Sequence, residues 1–330
     1  MLRATSLPAA GALRCASYAS RVATHAVIGN VNVDVVVWPA REVPPPGVER
    51  SVERIDLRVG GAAAVAGATL ARLGRDPVVA GCVGQDALGT TAIDELERYG
   101  VGTEHIVRVG SSPTGACVAF EAPSFDRSFL MSLGCLATYR ASMVGDEAIS
   151  SSFVLLCGYF NLPGLRGEPT ARLLRRVKDA GGTTLLDTGS DHDGWPSTTC
   201  DEVRSLLPLV DVFVPNELEA AHLAGEPDAV AAARALTALS GGWTVVKLGP
   251  QGGVAAGPDG TVHRAVAPHV EVVDTTGAGD AFNAGLMSAV GEGRPWPDAL
   301  RTASAVASTV VSRPSGDRYP TPDDLLDPVG

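Results

Sequence analysis

The segment Asp274–Phe282 places small residues directly before an aspartate, where a predicted strand gives way to a predicted helix. Glycine at 277 and 279 lets a ligand approach the backbone closely. Free N–H groups and the helix dipole would converge there and form an anion site. The carboxylate of Asp280 could take a proton from a hydroxyl while a phosphoryl group arrives, or it could simply cap the helix.

Two more segments with polar or glycine residues follow predicted strands. Asn216–Glu219 comes after the apolar run Val210–Val214, and Lys247–Gly253 ends another strand in a glycine turn. Ligands of parallel α/β sheets bind at the carboxyl ends of the strands. Glu219 could therefore hold Mg²⁺ through water, although acids in a first helical turn often only stabilise the helix.

Polar side chains also interrupt a valine-rich strand predicted over His25–Trp38. A carboxylate such as Asp34 on a buried strand must be paired or must face a cleft. Together with Asn32, it is suited to hydrogen bonding with neighbouring sugar hydroxyls.

The elements that would position these residues alternate between strand and helix from Phe153 to Val311, which predicts a parallel sheet with helices on both faces. The half-exposed strand patterns at 48–59 and 113–131 do not fit that alternation and predict a small inserted sheet. The acidic run Asp187–Asp193 is interpreted as a solvated loop at the cleft rim rather than a metal site.

Composition excludes several classes of function. The chain of 330 residues is 45% hydrophobic and 19% charged, so it can build a sizeable core, and its net charge is −11. An acidic surface disfavours nucleic acid and anionic membranes as partners. No apolar run reaches the ~18 residues of a membrane span, and we expect a cytoplasmic protein.

Residues 1–24 contain arginines and no acidic residue, as an organellar targeting segment would. A disordered tail or an over-extended translation start explains the same composition, so these interpretations stay open. The folded domain is predicted over 25–330.

Several of these motifs, in this order, resemble the ribokinase-like (phosphofructokinase B type) carbohydrate kinase family. Asp274–Phe282 is similar to the family's C-terminal signature, and Gly60–Gly74 to its N-terminal one. Gly84–Gly89, Asn216–Glu219 and Lys247–Gly252 are similar to its intermediate blocks. The resemblance implies a three-layer α/β/α fold with a mostly parallel central sheet and a small β-sheet lid formed by about 37–59 and 113–131.

The resemblance also implies roles for individual residues. Asp280 would be the catalytic base, and the backbone N–H groups that stabilise the transferring phosphoryl group would belong to Gly277, Ala278 and Gly279. The implied substrate-binding residues are Asn32, Asp34, Gly60, Gly61, Val65, Arg127 and Phe160. The implied ATP-binding residues are Asn216, Glu219, Lys247, Gly249, Gly252 and Ser304. A magnesium ion would lie near Glu219, and a monovalent cation such as K⁺ near Asp274 and Thr276. A homodimer formed through the lid is a further implication.

Three positions depart from the family pattern. Val65 stands where an asparagine usually binds the sugar, Phe160 is apolar at a second acceptor contact, and Lys247 stands where threonine is frequent. The phosphoryl-transfer residues are intact, so the sequence predicts an ATP-dependent sugar kinase. A nucleoside kinase, whose base would favour apolar walls, is the alternative, and a non-catalytic nucleotide- or sugar-binding regulator is another. The absence of G-x-G-x-x-G after the first strand disfavours a dinucleotide dehydrogenase.

Overall fold

A computed structural model describes residues 25–121 and 128–325. Its strands are β1 (His25–Ile28), β2 (Asn32–Trp38), β3 (Arg54–Gly60), β4 (Pro77–Gly84), β5 (Ile106–Val109), β6 (Ala116–Phe120), β7 (Ser128–Ser132), β8 (Phe153–Cys157), β9 (Thr183–Asp187), β10 (Val212–Phe213), β11 (Trp243–Lys247), β12 (Gly253–Ala256) and β13 (Val262–Ala265). Its α-helices are α1 (Ala62–Arg72), α2 (Ala87–Arg98), α3 (Asp146–Ile149), α4 (Glu168–Asp179), α5 (Ser197–Leu206), α6 (Glu217–Ala224), α7 (Ala229–Ser240), α8 (Ala278–Gly291) and α9 (Trp296–Ser312).

The central sheet is mostly parallel. In the described part of the chain it has nine strands in the order β13-β12-β11-β10-β9-β8-β1-β4-β5. The strands from β11 to β5 pair in parallel, whereas β12 and β13 continue from β11 as antiparallel edge strands. The carboxyl ends of the parallel strands therefore meet at one edge of the sheet, where ligands of such sheets bind.

Helices cover both faces of this sheet, as side-chain alternation along the strands requires. On β1, Val27 joins a core cluster with α1, α8 and α9, whereas Ala26 and Ile28 join the opposite cluster with α4 to α7. Helices α8 and α9 approach closely at Gly285, where an added Cβ would lie 3.0 Å from Ala303 and Val306. The predicted three-layer α/β/α architecture is confirmed.

A second, four-stranded sheet has the order β3-β2-β6-β7 and forms the lid. Its pairing register places Arg58, Asp34, Cys117 and Met131 in one row across the sheet. The next row lies on the opposite face and consists of Leu57, Val35, Val118 and Leu130. One face of the lid therefore carries polar and sulfur-containing side chains, and the other carries an apolar row.

The single strand predicted over His25–Trp38 is wrong in one respect, because it is two strands in two sheets. The chain leaves the central sheet after Ile28 and enters the lid at Asn32. Gly29 packs so tightly that an added Cβ would lie 2.7 Å from the carbonyl oxygen of Cys157. Asn30 then turns its side-chain oxygen to the N–H of Ala62 at 3.1 Å, which satisfies the start of α1. Asn32 and Asp34 consequently lie on the lid.

Within residues 25–121 and 128–325, every helix is too short or too polar to cross a bilayer.

Candidate active site

A pocket of about 250 Å³ lies between the lid and the carboxyl edge of the central sheet. Its walls come from β2, β6 and β7 of the lid, the start of α1, the loops after β8 and β9, and the start of α8. The lining residues are Asn30, Asn32, Asp34, Gly61, Ala62, Val65, Cys117, Met131, Gly158, Asn161, Asp187, Gly189, Thr276, Gly277 and Asp280.

The N-terminus of α8 opens into this pocket. Gly277 is the N-cap in a left-handed conformation (φ 74°), and no side chain caps the helix. Ala278 donates its N–H to the carbonyl of Thr275 at 3.2 Å. Within the described part of the chain, no hydrogen bond engages the N–H groups of Gly277 and Gly279. These two donors, rather than all three predicted ones, are therefore available to an anion.

Asp280 lies in the first turn of α8, on the wall of the pocket. The pKa of this carboxyl is raised to about 7, first by burial and then by the neighbouring Asp187 carboxylate, while Lys247 opposes both effects. A carboxylate with a pKa near neutrality can accept a proton from a hydroxyl and can later release it. This environment matches what a general base needs.

A buried cluster of Asp187, Lys247 and Asn283 lies next to Asp280. Asp187 at the end of β9 accepts a hydrogen bond from Lys247 at the end of β11, with Nζ and Oδ2 2.6 Å apart. Asn283, one turn after Asp280 on α8, donates to the same oxygen. Lys247 is largely buried, and its pKa is raised because Asp187 and Glu219 outweigh the desolvation that would lower it.

This arrangement corrects one interpretation. Asp187 does not belong to a solvated loop, since it is only 5% exposed. The ammonium group of Lys247, predicted to contact the nucleotide, pairs with Asp187 in this structure. Among the described residues, no cluster of acidic, histidine and cysteine side chains is arranged to hold a metal ion.

A chain of amides orients the acidic group on the lid side. Asn30 donates to the Oδ1 atom of Asn32 at 3.0 Å, and Asn32 donates to the Oδ1 atom of Asp34 at 2.8 Å. Burial raises the pKa of Asp34 to about 6, against the lowering effect of Arg58. Gly60 permits this placement, because a Cβ there would lie 2.3 Å from the Asp34 carboxyl. Near pH 7 Asp34 is mostly an anion that can accept hydrogen bonds from hydroxyls.

Of the two apolar positions predicted at the acceptor site, only Val65 lines the pocket. A Cβ at Gly277 would lie 2.9 Å from the Cγ1 atom of Val65. Phe160 does not line the pocket. The single 3₁₀ turn Tyr159–Asn161 points the Phe160 ring at Trp195, with ring centroids 5.3 Å apart, and leaves Asn161 facing the pocket. Arg127 lies outside the described residues.

Asn216 and Glu219 cap α6 together. The Asn216 side chain accepts from the N–H of Glu219 at 2.8 Å, and the Glu219 carboxylate accepts from the Asn216 N–H at 2.9 Å and from its side-chain amide at 2.7 Å. Glu219 is only 2% exposed, and burial followed by repulsion from Asp187 raises its pKa to about 7. Its carboxylate therefore fixes the start of α6, and its predicted contact with magnesium through water stays a prediction.

The other predicted nucleotide residues differ in access. Gly249 is exposed in a left-handed turn (φ 56°) after β11. Gly252 is buried, and a Cβ there would lie 2.0 Å from the carbonyl oxygen of Ala265. Ser304 is 1% exposed within α9, and its hydroxyl has no partner among the described residues. Ser304 is therefore buried inside the protein, and its predicted contact with the nucleotide stays a prediction.

The predicted cation site is held by arginine. Arg318 donates to Asp274 Oδ2 at 3.2 Å and to the carbonyl oxygen of Thr276, while Arg58 donates to the same carboxylate at 2.5 Å. Burial would raise the pKa of Asp274, but the two guanidinium groups outweigh it and lower the pKa to about 2. A potassium ion needs these oxygens free and would be repelled by both arginines. The residues present therefore do not fit a monovalent cation.

Comparison with known proteins identifies the family. The profile of the pfkB family carbohydrate kinases matches residues 23–324. A ribokinase of Haemophilus influenzae is 27% identical, over 92% of this chain and 97% of its own length. An aminoimidazole riboside kinase of Salmonella typhimurium is 28% identical, over 91% and 92% respectively. The structure of Arabidopsis thaliana ribokinase complexed with ribose and ATP superposes with a TM-score of 0.80 at 26% identity, covering 93% of this chain and 98% of that one. The chain belongs to the pfkB family of carbohydrate kinases.

Several pocket and support residues were not predicted. Asp187 could have been found by the rule that located Glu219, because it also directly follows a buried strand. Asn161 stood next to a predicted position. Arg58, Arg318 and Asn283 carry no local signal, because they meet the site only through tertiary contacts.

Proposed function

We propose that the chain is an ATP-dependent kinase that transfers the γ-phosphoryl group of ATP to a hydroxyl of a small sugar or of the sugar part of a nucleoside. One observation carries the proposal. Asp280, a carboxylate with a pKa of about 7, lies in the first turn of α8 at its open N-terminus, and the hydrogen-bond acceptors of Asp34 line the same pocket.

The chemistry follows from this juxtaposition. The Asp280 carboxylate takes the proton of the acceptor hydroxyl, whose oxygen forms a bond to the γ-phosphorus atom. The bond from that phosphorus to the β–γ bridging oxygen breaks, and ADP leaves. The N–H groups of Gly277 and Gly279 stabilise the charge on the transferring group in the transition state. Covering the pocket with the lid excludes water, which would otherwise compete as acceptor.

Magnesium enters this proposal as MgATP. In such complexes the nucleotide phosphates and water supply most of the ligands of the ion. Because the carboxylate of Glu219 is engaged in the α6 cap, we assign no protein ligand to the ion.

The pocket walls suit two acceptor classes. Asp34 and Asn161 offer polar groups to vicinal hydroxyls, as any sugar would require. Val65, Cys117 and Met131 form an apolar wall beside them, which favours a nucleoside whose base packs against it. The similarity to an aminoimidazole riboside kinase supports the same alternative.

The test is ADP release from MgATP with ribose, fructose, 2-keto-3-deoxygluconate, adenosine, inosine and cytidine. Turnover with one acceptor identifies both reaction and class. MgATP binding without turnover on any acceptor would leave two possibilities, a kinase with an untested acceptor and a non-catalytic binder. Comparison of basal ATP hydrolysis between the native chain and Asp280→Asn decides between them, because only a kinase should lose hydrolysis in the variant.

We also propose a homodimer through the outer face of the lid. Ile55, Leu57 and Leu130 are 58%, 53% and 57% exposed on this face, where Leu57 and Leu130 belong to the apolar row and Ile55 to the next row on the same face. An exposed apolar sheet face of this kind favours association with a second copy. Sedimentation at twice the 33.8 kDa chain mass, reduced to one chain mass by Leu57→Glu, is the expected result.

A further inference from the structure

A buried ionic cluster lies where the lid meets the turn before α8. Arg58 comes from β3 of the lid, Asp274 from the turn itself, and Arg318 from the segment after α9. The three side chains are 8%, 9% and 4% exposed. Pairs buried to this extent are only weakly screened by salt.

The cluster fixes both sides of one residue in the turn. The N–H of Thr276 donates to Asp274 Oδ1 at 2.7 Å, and the carbonyl of Thr276 accepts from Arg318. The next residue, Gly277, is the left-handed N-cap of α8. The direction of the N–H groups of Gly277 and Gly279 therefore depends on a turn that the Arg318 guanidinium holds in place.

We propose that Arg318 is a built-in cation that positions the N-terminus of α8 and makes the kinase independent of monovalent cations. This inference rests on the proposed function. Arg318 occupies the oxygens of Asp274 and Thr276 that a bound cation would need, and it supplies the positive charge that the turn requires. Arg318 is a positioning residue, because it reaches the reacting atoms only through this turn.

Arg58 gives the cluster a second consequence. Its guanidinium ties Asp274 to the lid, and Thr276 donates its hydroxyl to Glu121 at the end of β6 at 3.2 Å. The turn that presents the N–H groups is thus held from the lid side by Arg58 and from the chain's end by Arg318. The two guanidinium groups link these elements through directional hydrogen bonds, which a bound metal ion does not form.

The first measurement uses the native chain. ADP release with the best acceptor is compared in KCl, NaCl and choline chloride at equal ionic strength. The expected kcat varies by less than about twofold among the three salts. Activation of the native chain by K⁺ of more than about threefold over choline would overturn the proposal.

The second measurement removes the built-in cation. In choline chloride, Arg318→Met should lower kcat by at least about tenfold, because misplaced anion-hole donors cost that much or more. K⁺ should restore part of the loss, because the Thr276 carbonyl oxygen and the side of Asp274 Oδ2 that Arg318 covered become open to it, while Arg58 still pairs with that carboxylate. Arg318→Lys keeps the positive charge and should stay insensitive to K⁺. Arg75→Met removes an arginine paired with Glu292 away from the pocket and serves as the matched control, with no response to K⁺.

Thermal unfolding tests this inference without depending on kinase activity. The midpoint of thermal unfolding should rise in KCl over choline chloride for Arg318→Met but not for the native chain, because a newly bound ion stabilises the folded state. If no acceptor gives turnover in any salt and Asp280→Asn does not lower basal ATP hydrolysis, the proposed function fails, while this thermal comparison still tests the cation. Loss of activity in Arg318→Met that K⁺ does not restore, with no K⁺-specific stabilisation, would show a packing role and overturn the inference.

Discussion

The segment from Asp274 to Asp280 has a buried charged cluster at each end. Positive charges outnumber negative ones in the cluster at Asp274, and negative charges outnumber positive ones in the cluster at Asp280. At the start of the segment, one carboxylate faces two arginines, and the pKa of Asp274 falls to about 2. At its end, burial and the neighbouring Asp187 carboxylate raise the pKa of Asp280 to about 7, with one lysine to oppose them. The same residue type is thus a permanent anion at one position and a proton acceptor at the other.

The difference shows how the fold assigns roles to carboxylates. Burial disfavours the charged form of both, so neighbouring charges decide the outcome. Two cations on Asp274 make it a fixed structural anchor for the turn. A surplus of carboxylates around Asp280 makes it the group that gains or loses a proton near neutral pH.

Asp280→Asn is the strongest test of the different roles proposed for Asp280 and Asp274. We expect kcat to fall at least ~100-fold, the scale of general-base catalysis, while MgATP binding is retained. Steady-state kinetics and titration calorimetry check the two parts. Unchanged turnover would remove Asp280 from the mechanism.

The same variant should gain stability at high pH. The raised pKa of Asp280 means that its stability contribution is lost as pH rises from about 4 through about 7. Replacing it with asparagine removes that cost. The free energy of unfolding should therefore increase by about 1 kcal/mol or more at pH 8 and by little at pH 4. A loss of stability at pH 8 would contradict the charge balance described above.

Asp274→Asn tests the opposite cluster. The pKa of Asp274 is lowered, so its contribution is present above the unfolded-state pKa near 3.8 and is lost as pH falls through about 2. We expect a stability loss of about 2 kcal/mol at pH 7 that shrinks as the pH falls below 4, measured by urea unfolding. Asp201→Asn, in an exposed pair with Arg204, is the matched control and should cost less than about 0.5 kcal/mol. A loss that stays constant with pH would mean that Asp274 does not act through its charge.

The pH profile of kcat/KM tests the cluster around Asp280. It should rise with pH and level off above about 7, as Asp280 ionises. Lys247→Met removes the opposing charge and should move the midpoint up, by about one unit on a Coulomb scale. Asp187→Asn removes the like charge and should move it down. Lys178→Met, which breaks a Lys–Asp pair outside the pocket, should leave the midpoint in place. Midpoints that move in the same direction in Lys247→Met and Asp187→Asn would refute this electrostatic account.

The smallest expected effect concerns the pocket between the clusters. Val65→Asn adds a hydrogen-bonding group beside Gly277 and should raise kcat/KM for ribose or fructose about threefold to tenfold, the value of one modest hydrogen bond. Activity measured on the acceptor panel checks this. No gain with any polyhydroxy sugar would point to an acceptor that uses the apolar wall.

Local pattern predicted much of the fold and part of the candidate site. The alternation of strands and helices after Phe153 was sufficient for the three-layer architecture, because it repeats over many elements. The strand over His25–Trp38 was misjudged because a run of valines continues through the switch between sheets. Only Gly29 and Asn30 mark that switch, and their role depends on contacts with Cys157 and α1.

The sequence by itself brought the proposed anion site and the proposed base together, because the glycines and the aspartate of the Asp274–Phe282 segment are adjacent in the chain. It also placed Asn216 and Glu219 at a helix start, where the cap they form is a local interaction. The tertiary structure decided what each charge does. Arg58 and Arg318 reach Asp274 from 216 and 44 residues away, and Asp187 reaches Lys247 from 60 residues away. A pKa depends on the charges and burial around a group, and folding alone brings these together.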